Sequence, residues 1–93
     1  MDARETAEWW RRSGRAQLTL VLWAVWDPIG SVPLDEYEIY VDELFSVLEA
    51  GAEADRIADE LERIRTKSIR LPKDRSRDVE VAQKLKDWHY WAT

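Results

Sequence analysis

Asp27, in Trp26-Asp27-Pro28-Ile29-Gly30, is the carboxylate that this chain frames most closely with conformationally special residues. With Glu36 it makes the one pair in which acid–base or ligand chemistry can be sought. Carboxylates catalyse when their environments push their pKa values apart and a reacting group sits between them. Nothing else here completes such a site. An Asp before Pro is a common turn former, because its carboxylate accepts backbone N–H groups two or three residues on. Pro28 also drives Asp27 out of the right-handed helical region, and Gly30 permits a positive φ. Asp27 is therefore expected to hold a turn, and no catalytic residue is assigned. The single histidine, His89 in Asp87-Trp88-His89-Tyr90-Trp91, has no Ser or Cys nucleophile motif beside it. Zero cysteines exclude a disulfide framework, a thiolate nucleophile and a Cys-based zinc site. Asp55, Asp59 and Glu62 line one helix face, yet no loop carbonyl or histidine closes a coordination shell around them. No metal and no cofactor is expected.

Recognition chemistry is better represented. The net charge of −5 hides a strong division along the chain. Residues 35–62 hold eleven acids against Arg56 alone, a local net of −10. Residues 63–93 hold nine bases and four acids, and seven of those bases fall between Arg63 and Arg77. Solubilising surfaces usually mix signs. An acidic patch of Glu36, Glu38, Asp42 and Glu43 attracts a basic protein and repels nucleic acid. The basic run could contact phosphates taken alone, but the acidic neighbour and overall charge favour pairing within the fold. The six tryptophans add a second theme. Trp26 and Trp88 suit a core, where indoles supply large apolar area to a small domain. Trp9 and Trp10 are adjacent, and neighbours on a helix point about 100° apart, so both cannot face one core. Trp9, Trp10 and Trp91 are therefore candidates for a partner-binding surface.

The elements that must position these residues are helical. Ala3 to Arg12 favours helix, and Gly14 is expected to weaken or end it. Residues 16–26 alternate like a strand at Leu18, Leu20 and Leu22. They also follow helical spacing at Leu18, Val21, Leu22, Val25 and Trp26. Helix is chosen, because no second run of β character exists to pair with it and a lone strand cannot satisfy its backbone. Asp35 reads as an N-cap and Gly51 as the C′ residue of the next helix, whose stripe is Tyr37, Tyr40, Val41, Leu44, Phe45 and Leu48. Ala54, Ile57, Ala58, Leu61 and Ile64 form the stripe of another. Residues 66–75 read as a basic loop. A last helix runs from Ser76 or Arg77 to Trp91, capped by Ser76 or Asp74 and burying Val81, Ala82, Leu85 and Trp88. Ninety-three residues make one domain, 1–93. The expected fold is a small all-α bundle of four helices, five if the N-terminal piece is separate.

The longest apolar run, Leu18 to Trp26, is far short of the ~20 residues that span a membrane. Acidic Asp2, Glu5 and Glu8, the bulky Trp9-Trp10, and the lack of a small-residue cleavage site argue against a secretory signal. A cytoplasmic protein with no membrane association is expected. The turn Trp26-Asp27-Pro28-Ile29-Gly30, with Asp35-Glu36-Tyr37, Tyr40-Val41, Leu48, Gly51-Ala52, Ile57-Ala58 and Leu61, resembles a family of small, uncharacterised bacterial helical proteins, a domain of unknown function. The resemblance covers residues 16–65, with weaker likeness from Val81-Ala82 to Trp88. It implies helix over strand for residues 16–26 and implies no activity. The expected function is a non-enzymatic protein-binding module with an acidic face. An immunity or inhibitor role against a basic toxin is one concrete form, by analogy of size, charge and helicity. A homo-oligomeric structural protein and a carboxylate enzyme are the alternatives.

Overall fold

Four helices, joined by a proline corner and two short connections, make up the described part of the chain. The computed structural model describes residues 2–30 and 32–93. Helix α1 runs without a break over residues 3–26, helix α2 over 34–49, α3 over 54–68 and α4 over Arg75–Ala92. No strand occurs among the described residues, so the all-α class and the helical choice for residues 16–26 hold. Packing between successive helices is antiparallel. Trp26 meets Tyr37 while Trp10 meets Phe45, and Asp59 meets Arg75 while Glu53 meets Lys86. Helix α4 closes the bundle on α1, with Arg77 near Trp26 and Trp88 bonded to Gln17. The topology is therefore up-down-up-down.

Helix α1 does not end at Gly14. The residue has ordinary helical angles, φ −59° and ψ −42°, and the helix passes through it in a π-helical turn, Trp10–Gly14. A Cβ at this position would lie 2.5 Å from the Trp9 ring. Gly14 is thus a recess into which the indole of Trp9 folds, and residues 3–26 are one helix with no separate N-terminal piece. Its weak helix propensity, about 1 kcal/mol below alanine, is outweighed by the packing of that ring. A second π-helical turn, Leu22–Trp26, ends α1, with the Asp27 N–H bonded to the Leu22 carbonyl at 2.9 Å.

Helix α2 also begins differently from expectation. Its first part, Leu34–Tyr40, is 3-10 helix with Pro33 as the capping residue; α-helix follows over Val41–Glu49. Asp35 lies inside the first turn with Glu36 and caps nothing. Both carboxylates there still face the positive end of the helix dipole. Gly51 ends the helix as expected, at φ 76°, with the Gly51 N–H on the Leu48 carbonyl and the Ala52 N–H on the Val47 carbonyl. Those two bonds are the Schellman pattern. Helix α3 continues through Ile64–Ser68, so the basic loop is shorter than the sequence suggests. Asp74 caps α4 by accepting the Arg77 N–H.

The apolar stripes meet in one core. Leu18, Leu22, Tyr37, Leu44, Leu61 and Leu85 are fully buried, and Trp26 is 1% exposed. Trp88 is half-buried against this core, with its indole N–H donated to Gln17. No helix among the described residues is long and apolar enough to cross a membrane.

Candidate functional site

The corner after α1 is built around Asp27. Its backbone is left-handed, φ 33° and ψ 62°, a conformation that Asp tolerates better than most residues. Its Oδ1 accepts the Gly30 N–H at 3.2 Å and the Tyr37 hydroxyl at 2.6 Å. The Tyr37 oxygen in turn accepts the Ile29 N–H. Burial, with the Asp27 carboxylate second, pushes the Tyr37 phenol up to about 12. The carboxylate thus takes two hydrogen bonds, and with the Tyr37 oxygen it fixes the turn that leads into α2.

From the other side the corner is held by α3 and α4. Asp78 is completely buried, and its Oδ1 accepts the Trp26 indole N–H at 2.9 Å and Arg65 Nη2 at 2.7 Å. Arg65 also donates Nε to Oδ2 and lies over the Trp26 ring, 5.8 Å from its centroid. Arg77 donates to the Val25 and Trp26 carbonyls, satisfying the open end of α1. Among the described residues no buried side-chain polar atom is left without a partner. The sequence reading missed this network. Its signal was present: Asp78 sits three and seven residues before Val81 and Leu85, and Arg65 four and eight after Leu61 and Ile57. Opposite charges on two apolar stripes mark a candidate buried pair.

No family model, curated protein or solved structure matches the chain. Recognition must therefore be judged from the surface.

The acidic residues singled out on α2 fall into two groups. Asp42 accepts from Arg15 Nη2 at 3.1 Å and from the Trp10 indole at 3.1 Å. Arg15 also pairs with Glu38, while Glu43 pairs with Arg63, which Glu60 shares. Arg15 holds the Asp42 carboxyl below the usual carboxylate range, helped by the Trp10 hydrogen bond, and Arg63 does the same for Glu60. Glu36 and its neighbour Asp35 are exposed and have no ion-pair partner among the described residues. Ile39, one 3-10 turn beyond Glu36, is 74% exposed.

The tryptophans divide as well. Trp10 stacks on Phe45 at 4.0 Å, and Trp9 lies between Phe45 and Trp88. Both are half-buried, because the α1–α2 and α1–α4 seams take one indole each. Trp91 is 82% exposed, edge-on to Tyr90. It lies two residues past His89, which pairs with Glu49 at the end of α2 opposite Glu36. Trp91 and the acidic turn therefore do not form one surface. The basic segment pairs inward as expected: Arg75 with Asp59, Lys73 and Arg75 near Glu62, Arg63 with Glu43. Of the three carboxylates considered for a cation, Arg75 pairs with Asp59 and approaches Glu62, and no group of three His, Asp or Glu among the described residues is placed to hold a metal ion.

Proposed function

We propose that the chain is a non-enzymatic protein-binding module that receives a basic partner at the first turns of α2, an immunity or inhibitor role being its concrete form. One observation carries this reading. After internal pairing, the start of α2 keeps uncompensated negative charge beside exposed apolar surface. Asp35 and Glu36 have no ion-pair partner among the described residues, Arg15 serves two carboxylates at once, and Ile39 and Leu34 are exposed. Charge of one sign around an apolar anchor is the arrangement that speeds encounter with a cationic protein and then holds it. The carboxylate of Asp27 is used in the corner, and His89 is held by Glu49, which favours binding over catalysis.

The test is co-expression with the proteins encoded beside this one. A basic neighbour should bind, and any toxicity it has should be relieved. Its association should slow as salt shortens the Debye length from ~10 Å at 0.1 M to ~3 Å at 1 M. The variant Asp35→Lys/Glu36→Lys, which leaves every described ion pair intact, should slow association about tenfold. Salt-independent binding, or neighbours that neither bind nor are inhibited, would refute the reading.

A further inference from the structure

Residues 16–26 of α1 carry no charged side chain on any side of the helix. A helix that is apolar around its whole circumference is normally enclosed. Leu18, Leu22 and Trp26 fill the core from one side, while Ala16, Leu20, Trp23 and Ala24 form a second stripe on the opposite side and are exposed. We infer that this outer stripe is the contact face of a two-fold dimer, in which α1 of one copy packs antiparallel on α1 of a second.

The stripe has the form of a helix-packing ridge. Its spacing is i, i+4 and i+7, and the small Ala16 leaves room for a leucine from across the contact. Leu20 and Trp23 are 50% and 39% exposed. Trp23 donates its indole N–H to the Val32 carbonyl at 3.0 Å, which holds the ring in place at the surface. Leu34, two residues beyond Val32 and 47% exposed, extends the apolar area toward α2.

Charge selects the second copy and its direction. Arg11 and Arg12, on the N-terminal side of the stripe, are exposed and have no ion-pair partner among the described residues. Asp35 is exposed and equally unpaired on the side of α2 that borders α1. An antiparallel contact centred between Ala16 and Leu20 sets Ala16 of each copy against Leu20 of the other. It brings Arg12 of each copy to Trp23 of the other, a cation at an indole ring. Arg11, on the side of α1 that faces α2, then approaches Asp35 of the other copy. A face that bears both signs at opposite ends is self-complementary under a two-fold axis, whereas parallel pairing would set four arginines together. An anionic lipid surface would be repelled by Asp35 and Glu36 beside the stripe. From Arg12 to Ala24 the contact is about 18 Å long. One helix-on-helix contact of that length belongs with the small interfaces, below about 1,200 Å² in total, whose association is weak and reversible. Glu36 and Ile39 lie on another face of the 3-10 turn, where side chains repeat every third residue. They stay exposed in the dimer, which therefore stands independently of the protein-binding reading above.

Sedimentation equilibrium of the full chain should show monomer and dimer in exchange, with a dissociation constant of about 0.01–0.1 mM. Leu20→Lys should weaken the dimer about tenfold or more while its melting temperature stays at the wild-type value. Arg11→Glu should weaken it about tenfold, because two-fold symmetry counts the change twice, and Arg11→Glu/Asp35→Arg should restore it. Tyr90→Ser/Trp91→Ser, at the exposed end of α4, should leave association unchanged. A chain still monomeric at ~1 mM, a dimer indifferent to Leu20→Lys or a charge swap that restores nothing overturns the inference. So does a dimer lost in Tyr90→Ser/Trp91→Ser, or a monomer that instead sediments with phosphatidylserine vesicles.

Discussion

Replacing Asp78 with alanine should destabilise this protein more than any other single change at a polar residue. The carboxylate is completely buried and serves both the Arg65 guanidinium, whose side chain is 8% exposed, and the Trp26 indole. Removing one partner of a buried ion pair costs roughly 3–5 kcal/mol, because the remaining charge is left without compensation. An orphaned buried donor such as the indole N–H costs roughly 1–3 kcal/mol. The two overlap, since one carboxylate serves both, so ~4 kcal/mol is expected. A domain of this size has about 5–15 kcal/mol in total. Each kcal/mol moves the midpoint by roughly 4–8 °C, so Asp78→Ala should melt roughly 16–32 °C lower. Urea unfolding followed by circular dichroism measures the loss directly. Asp78→Asn keeps an acceptor for the indole and should lose less. The double variant Arg65→Met/Asp78→Leu removes both charges and should recover all but the roughly 1–3 kcal/mol owed to the orphaned indole. A loss below ~1 kcal/mol for Asp78→Ala, or a double variant no better than the single one, would show that the pair does not hold the corner.

Two further outcomes follow from the same geometry. Gly14→Ala should destabilise the wild-type chain by about 1–3 kcal/mol, less its gain in helix propensity, because its Cβ would displace the Trp9 ring. In a Trp9→Ala background the same change should stabilise by up to ~1 kcal/mol, a reversal of sign that thermal melts of the four variants would reveal. Tyr37 has a folded pKa of about 12 against an unfolded value near 10. Its raised pKa favours the neutral phenol, so the contribution is full below pH ~10 and is lost as pH rises toward ~12, about 2–3 kcal/mol in all. Tyr37→Phe should remove that alkaline step, and Asp27→Ala should shrink it while costing about 0.5–2 kcal/mol at neutral pH, as lost caps do. An unchanged alkaline unfolding curve in Tyr37→Phe would contradict this account of the corner.

Much of the architecture was legible because helix boundaries are local chemistry. Pro28 and Asp27 stop α1, Gly51 supplies the positive φ that ends α2, and Asp74 can cap α4 wherever that helix packs. The stripes around Leu44, Leu61 and Leu85 were legible for the same reason, since spacing in sequence fixes which side chains share a face. Inward pairing of the basic segment followed from charge alone. Two local readings failed, one where packing of a neighbouring ring decided the outcome and one where the residue ahead did. Gly14 reads as a break until the ring of Trp9 is folded over it against Phe45 and Trp88, and Asp35 reads as a cap until Pro33 begins a 3-10 turn ahead of it.

The candidate surface divides along the same line. The sequence by itself determined that α2 is acidic, that tryptophan is abundant and that no thiol or histidine cluster exists. Only the tertiary structure decided which of those groups remain available. Arg15, distant in sequence, takes up Glu38 and Asp42; Arg63 takes up Glu43; Phe45 and Trp88 cover Trp9 and Trp10. Asp35, Glu36, Ile39 and Trp91 are left to solvent. Composition sets the supply of charge and apolar area along a chain, but exposure belongs to pairs of faces. Which faces meet is settled only when helices far apart in sequence pack together, so that Asp78 and Arg65, two charges on ordinary stripes, became a buried ion pair.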